Sequence, residues 1–220
     1  MIERTSIDLG SLEAAAGNAA FVMALRGRGL RDTAVLRAME QVPRDAFAPQ
    51  PHREHARRDI ALPLPCGASM TAPSTVALML ALLRLEPGQR VLEIGTGSGY
   101  VTALLAQLGA GAVLSLERYT TLAGMATRQL AALAEVHVVR ADGLAPELPD
   151  GGFDRILVHG SVAAIPPHWR AALEPGGRLV TGLSGDGLCR AAVLASPEAD
   201  AEPGAPVRLA ALVPGLARVL

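Results

Sequence analysis

The chain has 220 residues, half of them hydrophobic, and a formal net charge of −1. That balance gives no electrostatic footprint for nucleic acid, and no uninterrupted apolar run reaches the roughly 18 residues needed to span a bilayer. Two cysteines, Cys66 and Cys189, are too few for a disulfide framework or a metal cluster, and the 20 basic residues are all arginines, which excludes a Schiff-base lysine. Residues 1–8 lack a basic region followed by an apolar core, so no secretory signal is visible and a cytoplasmic location is the expectation. The length suits one α/β core with small additions, and nothing in it sets an oligomeric state.

In chain order, a first Ala-rich helix is expected over residues 8–24. A basic, glycine-bearing connection over 26–32 follows. A second helix is expected over 32–41, with Asp32 as N-cap and Ala34, Leu36 and Met39 among its apolar positions. Pro43 cannot continue it. Residues 49–73 hold many prolines and no period, which predicts irregular chain lying over the surface; loops of that length are uncommon unless functional. A strongly apolar helix is expected over 74–84, capped by Ser74, and the turn at 86–89 leads into a strand over 90–94.

The strand Arg90-Val-Leu-Glu-Ile94 runs into Gly95-Thr-Gly-Ser-Gly99, and residues 100–108 are good helix formers that stop at Gly109. Strand, glycine turn and helix together make a nucleotide-cofactor loop, because bare backbone can approach a ligand closely. A dinucleotide loop spaces its glycines G-x-G-x-x-G around a pyrophosphate. Here the spacing is G-x-G-x-G, and Glu93 stands where a carboxylate would repel phosphate. S-adenosylmethionine carries an α-ammonium and a sulfonium but no phosphate, so an acidic rim suits it. Both cofactors remain open on the loop alone.

Beyond the loop, strands are expected over 112–117, 136–139, 153–158 and 177–180, with helices over 119–133 and 167–173 between them. Alternation of this kind implies an α/β, doubly wound, mostly parallel sheet with helices on both faces. The acidic, proline-rich stretch 195–206 reads as a mobile loop, and 207–213 as a last, antiparallel strand. In an open parallel sheet ligands bind beyond the carboxyl ends of the strands. Glu117 ends the second strand, where a carboxylate can accept from both ribose hydroxyls, with Arg118 beside it. Asp142-Gly143 ends the third, where it suits either an adenine amine or an ordinary Asp-Gly turn. His159 follows the fourth, as a base, a donor or simply a hydrogen-bonded imidazole. The other histidines (His52, His55, His137, His168) show no metal spacing, so no metal site is expected.

From residue 25 to residue 180 the chain resembles the protein-L-isoaspartate O-methyltransferase family, a branch of the class I S-adenosylmethionine-dependent methyltransferases with a Rossmann-like sheet. The resemblance rests on Gly27-Arg-Gly-Leu-Arg-Asp32, Val35-Leu-Arg-Ala-Met39, Val42-Pro-Arg-Asp-Ala-Phe47, Leu62-Pro-Leu-Pro65 and Pro73-Ser-Thr-Val-Ala-Leu-Met79. It continues through residues 91–99, Leu116-Glu-Arg118, Asp142-Gly143, Phe153-Asp-Arg-Ile156, Ile165-Pro166 and Gly176-Gly-Arg-Leu-Val180. It implies that Glu93, Gly95, Thr96, Gly97, Ser98 and Gly99 hold the methionyl end of S-adenosyl-L-methionine, that Glu117 and Arg118 serve the ribose, and that Asp142 and Gly143 serve the adenine. The chemistry it implies is methyl transfer to the α-carboxyl of L-isoaspartyl residues in damaged proteins or peptides. Residues 1–73 then form a helical, substrate-side extension and residues 74–220 the cofactor-binding core.

The chain departs from the family pattern where the acceptor is handled. The segment usually reads G-x-T-I-S-x-P; here it is Gly67-Ala-Ser-Met-Thr-Ala-Pro73, with hydroxyls kept at Ser69 and Thr71. The usual V-T-A-A after the fourth strand is Val158-His-Gly-Ser161, which places His159 with Ser69 and Thr71 among the candidate catalytic residues. These departures leave room for another acceptor, a peptide natural product or a small metabolite deprotonated by His159. They also leave room for a non-catalytic cofactor-binding module that meets a partner through Arg26–Arg31 or Arg53, Arg57 and Arg58. From outside the family, an NAD-dependent dehydrogenase competes.

Overall fold

The computed structural model describes residues 9–148 and 152–217, with side chains in the first helix from Ala16 onward. The expected helix start at residue 8 lies outside the described residues. Helix α1 runs Leu9–Gly27, three residues past its expected end. Helix α2 (Thr33–Gln41) is capped as expected: the Asp32 carboxylate accepts from the Val35 N–H at 3.0 Å, and Val35, Leu36, Ala38 and Met39 are buried.

Residues 49–73 are more ordered than their prolines suggest. A short helix α3 (Arg44–Phe47) leads to a 3-10 turn over Gln50–His55, and β1 (Leu62–Pro63) pairs antiparallel with β2 (Ser69–Met70). The prolines start these turns instead of disrupting them, since a fixed φ and a missing N–H suit a first helical position. The same rule corrects the cap of α4 (Pro73–Leu83): Ala72 precedes Pro73, and Ser74 lies inside the helix with its N–H donated to the Asp59 carboxylate at 2.8 Å.

The main sheet has seven strands in the order β5-β4-β3-β6-β7-β8-β9. These are β3 (Arg90–Ile94), β4 (Ala112–Glu117), β5 (Val136–Arg140), β6 (Phe153–Val162), β7 (Leu173–Gly185), β8 (Leu188–Leu194) and β9 (Ala201–Pro206). β5 through β7 in that order are parallel, and β8 and β9 are antiparallel. Helices α5 (Tyr100–Gln107), α6 (Thr120–Gln129) and α7 (Pro167–Ala171) connect the strands. The chain leaves β3 toward β4 on one side and returns to pair β6 on the other. The carboxyl ends of β3 and β6 therefore frame a switch point, where α/β proteins bind ligands.

Two expectations at the carboxyl-terminal side are corrected. Residues 201–206 of the expected mobile loop form β9, paired with β8 by Arg190↔Pro206 and Ala192↔Pro203. Residues 207–213 form no strand; they cross the carboxyl end of β6, bridging Ser161 to Ala211 in parallel, with Ala210 accepting from the Ser161 N–H at 2.8 Å. The antiparallel edge belongs instead to the β7–β8 hairpin, turned by Asp186 (φ 50°) and Gly187 (φ 75°). Both central residues with positive φ match the twist of the flanking strands.

One buried cluster joins Phe21, Leu25, Leu36, Met39, Leu62 and Met70 of the first 73 residues to Met79, Leu80, Leu104 and Leu105. A second, on the other side of the sheet, gathers Leu92, Ile94, Ile156, Trp169 and Leu179. Thus β1, β2 and the loops around them are seated on the same core as the sheet whose strand ends they face.

Candidate active site

A cavity of about 370 Å³ opens at the switch point. Gly95, Thr96, Gly97 and Ser98 line one side, Glu117, Arg118 and Tyr119 the next, Ala141, Gly143 and Leu144 another. Ser69, Met70 and Thr71 face them with Tyr100 and His159, and Arg208 through Val213 close the wall. The structure thus brings together ten of the sequence-derived site residues: Ser69, Thr71, Gly95, Thr96, Gly97, Ser98, Glu117, Arg118, Gly143 and His159.

The glycine loop is pinned to β4. Gly95 and Thr96 donate to the Leu116 carbonyl at 2.8 and 3.3 Å, and Glu117 accepts from the Gly97 N–H at 2.9 Å and the Tyr119 N–H at 3.0 Å. Gly95 (φ 96°) and Gly97 (φ 56°) take left-handed conformations that a side chain would strain. Each Glu117 oxygen accepts one backbone N–H and keeps a second lone pair for a ligand.

Three expected cofactor contacts sit differently. Glu93 does not form a rim: it is fully buried beneath the loop and absent from the cavity wall. Its Oε2 accepts from Thr102 Oγ1 at 2.5 Å and Ser115 Oγ at 2.6 Å, while Oε1 lies 3.1 Å from His159 Nε2. The reason is electrostatic, since a carboxylate at the centre of a parallel sheet is tolerated only among donors. Asp142 is also off the wall, its carboxylate accepting from the Leu144 N–H at 2.9 Å and the Gly215 N–H at 2.6 Å. Gly99 serves packing, because a Cβ there would meet Leu130 at 3.0 Å.

The Glu93 contact also sets the state of His159. Against the Glu93 carboxylate Nε2 donates, and in the neutral ring that tautomer leaves the lone pair on Nδ1. Nδ1 is buried and has no partner among the described residues. Past the end of β5, the Trp169 indole N–H donates to the Gly143 carbonyl at 2.7 Å. A Cβ at Gly143 would meet Ile94 Cγ2 at 2.3 Å, so backbone forms the wall there for want of room.

Tyr100, Tyr119 and the 208–213 wall were not singled out in the sequence. Tyr100 opens α5 directly after the glycine loop, which was a usable signal; residues 208–213 carried none, because their pattern is that of a strand. The segment continues over the strand ends: Arg118 Nε donates to the Gly215 carbonyl at 2.9 Å, and Arg140 donates to the Ala217 carbonyl at 3.3 Å. Among the described residues no His, Cys, Asp and Glu group could hold a metal, and no helix is long and apolar enough to cross a membrane.

Residues 16–196 match the sequence pattern of the protein-L-isoaspartate(D-aspartate) O-methyltransferase family. A protein-L-isoaspartate O-methyltransferase 2 of Rhodopseudomonas palustris is 44% identical over 91% of this chain and 94% of its own length. A protein-L-isoaspartate O-methyltransferase from another strain of that species is 47% identical over 73% of this chain and 74% of its own. Among solved structures, a protein-L-isoaspartate O-methyltransferase superposes with a TM-score of 0.78 at 24% identity, covering 90% of this chain and 67% of its own. A Plasmodium falciparum protein of the same description, in complex with S-adenosyl-L-homocysteine, gives 0.75 at 20% identity, covering 88% and 97%.

Proposed function

This chain belongs to the protein-L-isoaspartate(D-aspartate) O-methyltransferase family, and from that premise we propose that it transfers a methyl group from S-adenosyl-L-methionine to the α-carboxylate of L-isoaspartyl residues. The observation that carries the reading is a single cavity with the hydroxyl-bearing segment Ser69–Thr71 across from the Gly95–Ser98 loop and the Glu117 carboxylate. The wall suits this cofactor: Glu117 keeps lone pairs for a ribose diol, and Gly143 offers backbone to a flat ring. Bound there, the cofactor supplies a methyl group made electrophilic by its sulfonium.

In this reading Gly95, Thr96, Gly97 and Ser98 embrace the methionyl end, and Glu117 takes the ribose while Arg118 ties the 214–217 segment over it. Gly143 and Asp142 serve the adenine, Asp142 by giving up the Gly215 N–H. Glu93 and Gly99 act from beneath, holding the loop. Ser69 and Thr71 donate hydroxyl hydrogens to the acceptor carboxylate. One carboxylate oxygen forms the new C–O bond as the C–S bond breaks, leaving a methyl ester and a neutral thioether. No proton moves, so the rate comes from alignment and from stripping water off the carboxylate.

The test is transfer of labelled methyl to an isoaspartyl peptide and to its aspartyl twin. Label on the first alone is expected; equal label on both, or none, overturns the reading. The place of His159 on the cavity wall, with Glu93 against its ring, also favours a second reading, a protic acceptor deprotonated by His159. There His159→Ala abolishes transfer, whereas in carboxylate methylation His159→Thr retains it. A protein stabilised against heat by NAD and not by S-adenosylhomocysteine would sink both.

A further inference from the structure

Arg44 is the most deeply buried arginine of the described chain, only 3% exposed, and the reaction above makes no use of it. It lies in the Val42-Pro-Arg-Asp-Ala-Phe47 stretch and points its fork at the loop that carries the acceptor hydroxyls. Nη1 donates to the Ala56 carbonyl at 2.9 Å, and Nη2 donates to the Ile60 and Thr71 carbonyls, both at 3.1 Å. One side chain thus ties together three points spread over residues 56–71, the last of them a cavity residue. β1 and β2 have only two residues each and cannot fix that segment alone.

Among the described residues no carboxylate pairs directly with Arg44: Asp59 is engaged by Arg28 at 2.9 Å and Asp45 by Arg57 at 3.4 Å. Its Nε and the neighbouring Tyr100 hydroxyl are both buried and without hydrogen-bond partners. Burial lowers the Arg44 pKa and raises that of Tyr100, yet a guanidinium stays protonated at neutral pH. Buried charges are ordinarily paired. Carbonyl dipoles and, through space, Asp59 compensate this one in part; the remaining positive field lies behind Thr71 and Tyr100, on the side of the cavity where the proposed acceptor sits.

We propose that Arg44 is the positioning residue of the acceptor site, fixing the 56–71 segment with its fork and favouring an anionic acceptor through its only partly compensated charge. The specificity half rests on the reading that Ser69 and Thr71 receive a carboxylate; the positioning half does not. A neutral acceptor gains nothing from the field, so an α-carboxamide analogue of the isoaspartyl peptide binds the native protein more weakly than the carboxylate does.

The experiment compares the full-length protein with Arg44→Gln and Arg44→Lys, by transfer kinetics, by inhibition with the carboxamide peptide and by backbone hydrogen exchange over residues 56–72. Arg44→Gln is expected to raise KM for the isoaspartyl peptide about tenfold, with kcat and S-adenosylhomocysteine affinity each held within about threefold. It also weakens the preference for carboxylate over carboxamide and speeds exchange in the segment. Arg44→Lys keeps the charge but not the fork, so it retains the preference while exchange still quickens. An unchanged KM, or unchanged exchange, in Arg44→Gln overturns the proposal. Should Arg44→Gln fail to fold, Arg44→Lys decides, and protected exchange or a lost preference in it is the overturning result. If the native protein labels no isoaspartyl peptide, the substrate reading fails on its own and exchange in the variants decides the role of Arg44.

Discussion

Replacing Glu93 separates a residue that touches the cofactor from one that holds the loop which does. Its carboxylate receives Thr102 Oγ1, Ser115 Oγ and His159 Nε2, and Ser115 in turn accepts from Thr96 Oγ1 at 2.6 Å. Glu93→Ala strands three buried donors at about 1–3 kcal/mol each. The full sum is not reached, because Ser115 keeps Thr96 and a helical Thr102 hydroxyl can turn to a backbone carbonyl one turn back. A net loss of about 4 kcal/mol follows, comparable to removing one partner of a buried ion pair. For a chain of this size that lowers Tm by roughly 8–16 °C.

Glu93→Gln keeps the volume and one accepting oxygen. It loses the charge-assisted component, about 1.5–3 kcal/mol, part of which is offset by no longer burying a charge. Its amide nitrogen, turned toward His159, forces Nε2 to accept and moves the imidazole proton to Nδ1. Denaturant unfolding gives the stability change and calorimetric titration with S-adenosylhomocysteine gives the affinity. The expectation is a destabilised Glu93→Ala, and a Glu93→Gln whose cofactor affinity stays within about threefold, less than 1 kcal/mol. If Glu93→Gln folds like the native protein but loses more than tenfold in affinity, the carboxylate reaches the ligand and the buried placement is wrong for the bound state.

Other perturbations test the neighbouring walls. Gly143→Ala pushes a methyl into Ile94 and should cost more than tenfold in S-adenosylhomocysteine affinity; equal affinity would remove backbone approach from the account of the adenine side. Trp169→Phe deletes the 2.7 Å donor to Gly143 and should destabilise by about 2–3 kcal/mol, read as a shift in denaturant midpoint at constant slope. Ending the chain after Val213 keeps the cavity wall but frees Asp142 from the Gly215 N–H. Since one such bond is worth about 1 kcal/mol, cofactor affinity should rise about fivefold, and an unchanged affinity would rule out competition between tail and ligand.

The sequence exposed those parts of the fold whose signals are local. Asp32 three residues before an N–H it caps, alternating strands and helices, and glycines needing positive φ could all be read without tertiary information. Non-local features escaped. Nothing around Glu93 announces that Thr102 and Ser115, 9 and 22 residues away, will turn its carboxylate inward, so an acidic residue before a glycine loop reads as a rim. Residues 207–213 are a short apolar run that reads as a strand, but their partner is the end of β6 and not a sheet edge, a choice made by topology. The β7–β8 hairpin is absent from the sequence reading, although Asp186-Gly187 carries a local two-residue turn signal that could have found it. The stretch 49–73 misled because proline was weighed as a breaker when it stood at the starts of turns.

The two halves of the cavity are held by different means, which bears on where this chain departs from its relatives. The cofactor side consists of backbone amides and one carboxylate at the ends of β3, β4 and β5, whose positions follow from strand register and cannot shift singly. The acceptor side hangs on two-residue strands and on one arginine that clasps three carbonyls. Exchanging threonine for serine at 69 and serine for threonine at 71 keeps both hydroxyls there while moving a methyl group within the pocket. The imidazole at 159 adds a buried lone pair beside them, oriented by a carboxylate that belongs to the cofactor side. On the proposed reading, change at these positions spares methyl donation and acts on what is presented to it, so acceptor selectivity is the property in which this protein should differ most from its family.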